Sequence, residues 1–99
     1  SAWRTVVLDR ATRLLSERLD AQGKRVYFEV FKRYDLEAVD GDTSYEAIAR
    51  ELRISIDDVK NYLTRSREEF RNAVRSILCE SVGSPEDLSQ EWDALFGGS

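Results

Sequence analysis

Apolar residues at the start of the chain recur at helical spacing. Trp3, Val6, Val7, Ala11, Leu14, Leu15 and Leu19 fall on or near one face, while Arg4, Arg10, Arg13, Glu17 and Arg18 lie mostly opposite. This predicts a helix over residues 3–21, closed by Gly23. A second helix is expected from residue 24 to about 34. It is rich in aromatics (Tyr27, Phe28, Phe31, Tyr34, with Val26 and Val30 between them), and at this spacing in so small a chain they read as core rather than as a base-stacking platform. Residues 35–42 form an acidic connection in which Gly41 breaks the rhythm and Leu36 and Val39 could pin the loop.

From about residue 44 to 72 the pattern reads as a helix-turn-helix. A short helix over 45–52 places Ile48, Ala49 and Leu52 on one face, with Thr43 and Ser44 as competing caps and Glu46 positioned for a capping box. A tight connection at 53–55 follows. Ser55 can cap the next helix, and Asp57 and Asp58 fall in its first turn, where negative charge suits the dipole. Val59, Tyr62, Leu63, Ser66 and Phe70 make the inward stripe, leaving Asp57, Lys60, Asn61, Thr64, Glu68 and Arg71 outward. The rhythm continues through Ala73, Val74, Ile77 and Leu78, which carries this helix to about residue 80. Ser84, Pro85, Glu86 and Asp87 then supply a cap, an N1 proline and an acidic first turn for a final helix over about 85–96, striped by Leu88, Trp92, Leu95 and Phe96. That tail could pack across the domain or dock another protein, and packing is favoured because the stripe would otherwise be a sizeable exposed apolar patch. The expectation is one all-α domain over residues 1–99, of about five helices.

Composition narrows the chemistry. The chain has 99 residues, 41% hydrophobic and 34% charged, enough for one small core. It has no His and a single Cys, Cys79, which removes Ser-His-Asp and Cys-His catalysis, a zinc cluster and a disulfide framework. No catalytic, metal-binding or cofactor-binding residue is assigned, and Cys79 is expected in the core. No apolar run approaches the roughly 20 residues of a membrane span and nothing reads as a signal peptide, so the expectation is a cytoplasmic location with no membrane partner. With no Met in the sequence, the chain reads as a piece of a longer protein. The net charge of −4 sits unevenly: residues 1–34 carry eight basic and four acidic side chains, 35–43 none and four, 44–72 six and six, and 73–99 one and five. DNA affinity leans on phosphate neutralisation, so the piece alone is expected to bind DNA weakly, with a larger assembly supplying the rest.

The residues quoted for the helix-turn-helix resemble region four, the C-terminal domain of bacterial sigma factors of the extracytoplasmic-function type. The run Ser44-Tyr45-Glu46-Ala47-Ile48-Ala49 is similar to the family's first helix, Ile54-Ser55 with Val59-Lys60 to its turn and recognition-helix start, and Thr64-Arg65-Ser66-Arg67 to its serine-arginine-alanine-arginine run. The opening Trp3 with residues 7–11, and the tail from Glu80 through Leu88, Glu91, Leu95 and Phe96, resemble one branch of those factors. Arg53 stands where the family has a turn glycine, Asp57 and Asp58 where it favours small or neutral residues, and Tyr62 where arginine is common.

The resemblance implies recognition of the minus-thirty-five promoter element in transcription initiation, with core RNA polymerase bound through the full-length protein and an anti-sigma or other regulatory protein as a further partner. It implies no enzymatic activity. Lys60, Asn61, Thr64 and Arg65 match positions from which family members reach bases or phosphates, and Ser55 matches the backbone-contacting cap. The chemistry agrees: Asn61 can pair bidentately with adenine, and Lys60 can donate to guanine or to phosphate. Arg65 and Arg67 could clamp phosphates, or could pair with Glu68, Glu69 or a loop carboxylate. Asp57 and Asp58 read as helix-terminal charges before cytosine acceptors. Two other readings stay open: the DNA-binding domain of another helix-turn-helix regulator of the response-regulator type, and a protein-interaction module that kept the fold without DNA binding.

Overall fold

A computed structural model describes residues 2–37, 43–81, 90, 92–93 and 96. The protein is all-α. Helix α1 spans Ala2–Ala21, α2 spans Arg25–Phe31 and runs on into a π-helical turn over Lys32–Leu36, α3 spans Tyr45–Leu52, and α4 spans Ile56–Ser81. Gln90, Trp92, Asp93 and Phe96 are also helical, whereas the expected cap and N1 proline of a fifth helix, with Leu88 and Leu95 of its stripe, lie outside the described residues. So does Val39, one of the two residues expected to pin the acidic connection.

Side chains that α1 buries are spaced by four: Val7, Ala11, Leu15 and Leu19. That spacing keeps one narrow stripe against its neighbours along the whole helix. The core divides in two along α1 and α4. Toward the C-terminal end of α1, Leu15 and Leu19 meet Val30 and Phe31 of α2, Ile48 and Ala49 of α3, and Val59 and Leu63 of α4. Toward its N-terminal end, Val7 and Ala11 meet Ala73, Val74, Ile77 and Leu78, with Trp92 and Phe96 laid over them. Phe70 touches both clusters. The aromatics of α2 are core material: Phe31 packs against Phe70 at 5.3 Å between ring centroids, and Tyr27 stacks on Tyr62 at 4.0 Å.

Four expectations are corrected. The second helix does not run regularly to residue 34; its last turn widens, Glu37 N–H reaching back to the Lys32 carbonyl, and the extra residue sets Asp35 against Arg67 and Tyr34 against Tyr45. Trp3 and Val6 are 42% and 55% exposed, because Val7 and Ala11 alone define the inward line at that end of α1. Leu36 is 42% exposed and does not anchor the connection that follows. Cys79 is exposed: Leu78 takes the inward position, and the next residue is turned about 100° around the helix.

Candidate nucleic-acid interface

The stretch from residue 44 to 68 is built by caps. The Ser44 hydroxyl accepts from Ala47 N–H at 3.1 Å, which decides between Ser44 and Thr43 and closes the start of α3. At its other end α3 stops in a left-handed turn. Arg53 has φ 59° and ψ 47°, its N–H bonds to the Ala49 carbonyl, and the N–H of Ile54 reaches the same carbonyl at 3.0 Å. Ile54, half-buried, packs on the first cluster, so the turn is held by hydrogen bonds and by an apolar contact. Left-handed backbone costs an L residue roughly 1–2 kcal/mol. Two residues later the Ser55 hydroxyl accepts from Asp58 N–H at 2.9 Å and starts α4.

On α4 the two faces separate cleanly. Val59 and Leu63 are buried, and Ser66, also fully buried, donates its hydroxyl to the Tyr27 carbonyl at 2.9 Å. That bond ties the middle of α4 to the first turn of α2 and satisfies a polar group that would otherwise be stranded in the core. Tyr62 flanks the stripe. Its stack on Tyr27 leaves it half-buried, and burial raises its hydroxyl pKa above the ordinary value, with Asp58 adding to the effect. Asp57, Lys60, Asn61, Thr64, Glu68 and Arg71 are all exposed.

The six sequence-predicted site residues do not share one environment. Ser55 spends its hydroxyl on the cap. Lys60 and Asn61 present side chains that make no hydrogen bond or ion pair among the described residues. Thr64 turns its hydroxyl back to the Lys60 carbonyl at 2.9 Å, which leaves its methyl group and an oxygen lone pair outward. Arg65 sits between Glu68 and Glu69, each at 3.7 Å. Arg67 is held by Asp35, with Nε and a terminal nitrogen each 2.9 Å from a carboxylate oxygen, and lies over the Tyr34 ring. The bidentate bond to Asp35 raises the guanidinium pKa further. The structure thus brings Lys60, Asn61 and Thr64 together as an open surface, with Arg65 beside it under loose restraint, and sets Arg67 apart as a strut between α4 and the end of α2.

Carboxylates link the elements around this surface. Arg33 of the π-helical turn pairs with Glu51 of α3, and Tyr34 bonds Tyr45, which raises the Tyr34 pKa. Among the described residues no cluster of three or more His, Cys, Asp or Glu side chains could hold a metal ion, and no helix is long and apolar enough to cross a membrane. Comparison with family models, with curated proteins and with solved structures returned no match to this chain.

Proposed function

We propose that this chain is the promoter-reading domain of a bacterial transcription initiation factor resembling region four of extracytoplasmic-function sigma factors, and that it recognises the minus-thirty-five element through α4. The carrying observation is the open Lys60-Asn61-Thr64 face on the first turns of a helix whose other side is fixed to the core. An α-helix fits the major groove, and residues on its N-terminal turns are the ones that meet base edges. In this reading Asn61 pairs with a base, Lys60 reaches guanine or a phosphate, Thr64 offers its methyl and lone pair, Arg65 contacts phosphate, and Ser55 fixes the helix start at the strand. Arg67 orders the scaffold. The chain catalyses no reaction. Within a cytoplasmic full-length protein other parts bind core RNA polymerase, and a regulatory protein of the anti-sigma kind competes for the assembly.

Selection from randomised duplexes by the full-length protein with core polymerase tests this. Enrichment of a short motif that Asn61→Ala blurs is the expected result; a pool with no enrichment rejects the reading. One observation favours a protein-interaction module instead: Arg65 and Arg67 both face carboxylates, which subtracts from an already negative charge balance. Capture of polymerase or an anti-sigma protein, with no duplex bound even at low salt, would select that module.

A further inference from the structure

Two helices of this chain end in the same turn. After α1, Gly23 takes φ 72° and Lys24 N–H bonds the Leu19 carbonyl at 2.8 Å; after α3, Arg53 takes φ 59° and Ile54 N–H bonds the Ala49 carbonyl at 3.0 Å. The geometry is shared and the residue is not. Glycine adopts this conformation without a steric penalty, and the chain uses it at the first site. At the second stands an arginine, the one non-glycine residue with positive φ among the described residues.

Nothing in the fold accounts for that choice. The Arg53 side chain is exposed, and among the described residues it makes no hydrogen bond, ion pair or ring contact, although Arg10, Arg33, Arg65 and Arg67 all face carboxylates. The turn needs only the backbone of residue 53; the packing is done by Ile54 and the cap by Ser55. A side chain kept at a strained position without an internal partner points outward for its reason. Its place in the chain supplies one, since residue 53 lies in the turn three residues before α4 begins, with exposed Arg50 before it and exposed Lys60 after it in the chain.

Resting on the reading of α4 as a groove-binding helix, we infer that Arg53 contacts a phosphate of the strand bordering that groove, its guanidinium fork matching the phosphate oxygens. It sets affinity without reading sequence.

The test compares Arg53→Gly and Arg53→Lys with wild type in the full chain, on the selected and a scrambled duplex across a salt series, with thermal melting of each protein. Arg53→Gly is expected to melt at or a few degrees above wild type, because strain is relieved. It should still bind both duplexes roughly fivefold more weakly at 0.15 M salt, with a log affinity against log salt slope shallower by about 0.9. Arg53→Lys keeps the wild-type slope. An unchanged slope in Arg53→Gly, or a melting temperature below wild type, overturns the inference while leaving α4 as the reading helix. A wild-type chain that binds no duplex at low salt removes both.

Discussion

At Asn61 and Arg65, four residues apart on one helix, the surroundings assign different roles. Asn61 has an unengaged amide, and an amide is directional, so in the proposed DNA complex its contribution falls on particular bases. Asn61→Ala should cost about 1–3 kcal/mol at one or two base positions and little elsewhere; binding to single-base variants of the selected duplex checks this, and equal losses on cognate and scrambled DNA would contradict it. Arg65 is 46% exposed and shares its charge with Glu68 and Glu69. The Glu68 pair is exposed on both sides and worth about 0–1 kcal/mol, less than a charge-assisted bond to phosphate at about 1.5–3, and the contact to the more buried Glu69 is no shorter, so the arginine is free to leave them. Arg65→Ala should weaken every sequence alike and lower the salt slope by about 1. Ser66 is the counterweight on the hidden face. Removing its hydroxyl takes away one buried hydrogen bond to the Tyr27 carbonyl, which keeps its helical partner, and Ser66→Ala should cost about 0.5–1.5 kcal/mol in urea unfolding while leaving base preference unchanged.

Among the helices, what could be read from the chain beforehand followed the range of the forces involved. The start of α3, the Ser55 cap, the first-turn aspartates and the outward set on α4 are decided within four or five residues, and the hydroxyl and carboxylate patterns announce them. The competition between Thr43 and Ser44 was local as well, but both offered an oxygen and only geometry chose. The widened turn at the end of α2 is decided by groups 32 residues apart, Asp35 and Arg67, and no local pattern encodes that distance. Leu78 and Cys79 differ by one helical step of about 100°; the apolar rhythm already gives the inward position to Leu78, and the expectation for Cys79 rests on residue type, which carries no information about its side of the helix. The same turn has a pH signature. The Tyr34 hydroxyl is raised by its bond to Tyr45, and that of Tyr62 by burial. A phenol raised in the folded state contributes stability that is whole below its unfolded pKa of about 10 and is lost as pH rises through the folded value. The denaturation midpoint should therefore begin to fall above about pH 10, and Tyr34→Phe with Tyr62→Phe should flatten that fall. A decline already present near pH 8 that both substitutions leave unchanged would point to another group.

Across the whole molecule, α4 sets the shape. Its 26 residues span roughly 39 Å at 1.5 Å each, close to the long dimension of a body measuring 45 × 29 × 22 Å. A helix this long passes through both core clusters: Val59 and Leu63 hold its first turns in the proximal one, and Ala73, Val74, Ile77 and Leu78 hold its later turns in the distal one. The two clusters share α1, α4 and Phe70, and the expected consequence is that they unfold as a single cooperative unit. The sequence supplies a convenient reporter. Its two tryptophans, Trp3 and Trp92, sit on the first turn of α1 and over the distal cluster, so indole fluorescence reports that end while far-UV dichroism reports every helix. The two signals should follow one denaturation curve. Leu78 is fully buried in the distal cluster, and Leu78→Ala should lower stability by about 2–5 kcal/mol while displacing both curves together. Were fluorescence to change at lower denaturant than dichroism, the distal cluster would be a separate unit. The reading helix would then rest on the proximal cluster alone, and duplex binding by Leu78→Ala would match wild type at denaturant concentrations where fluorescence is already lost.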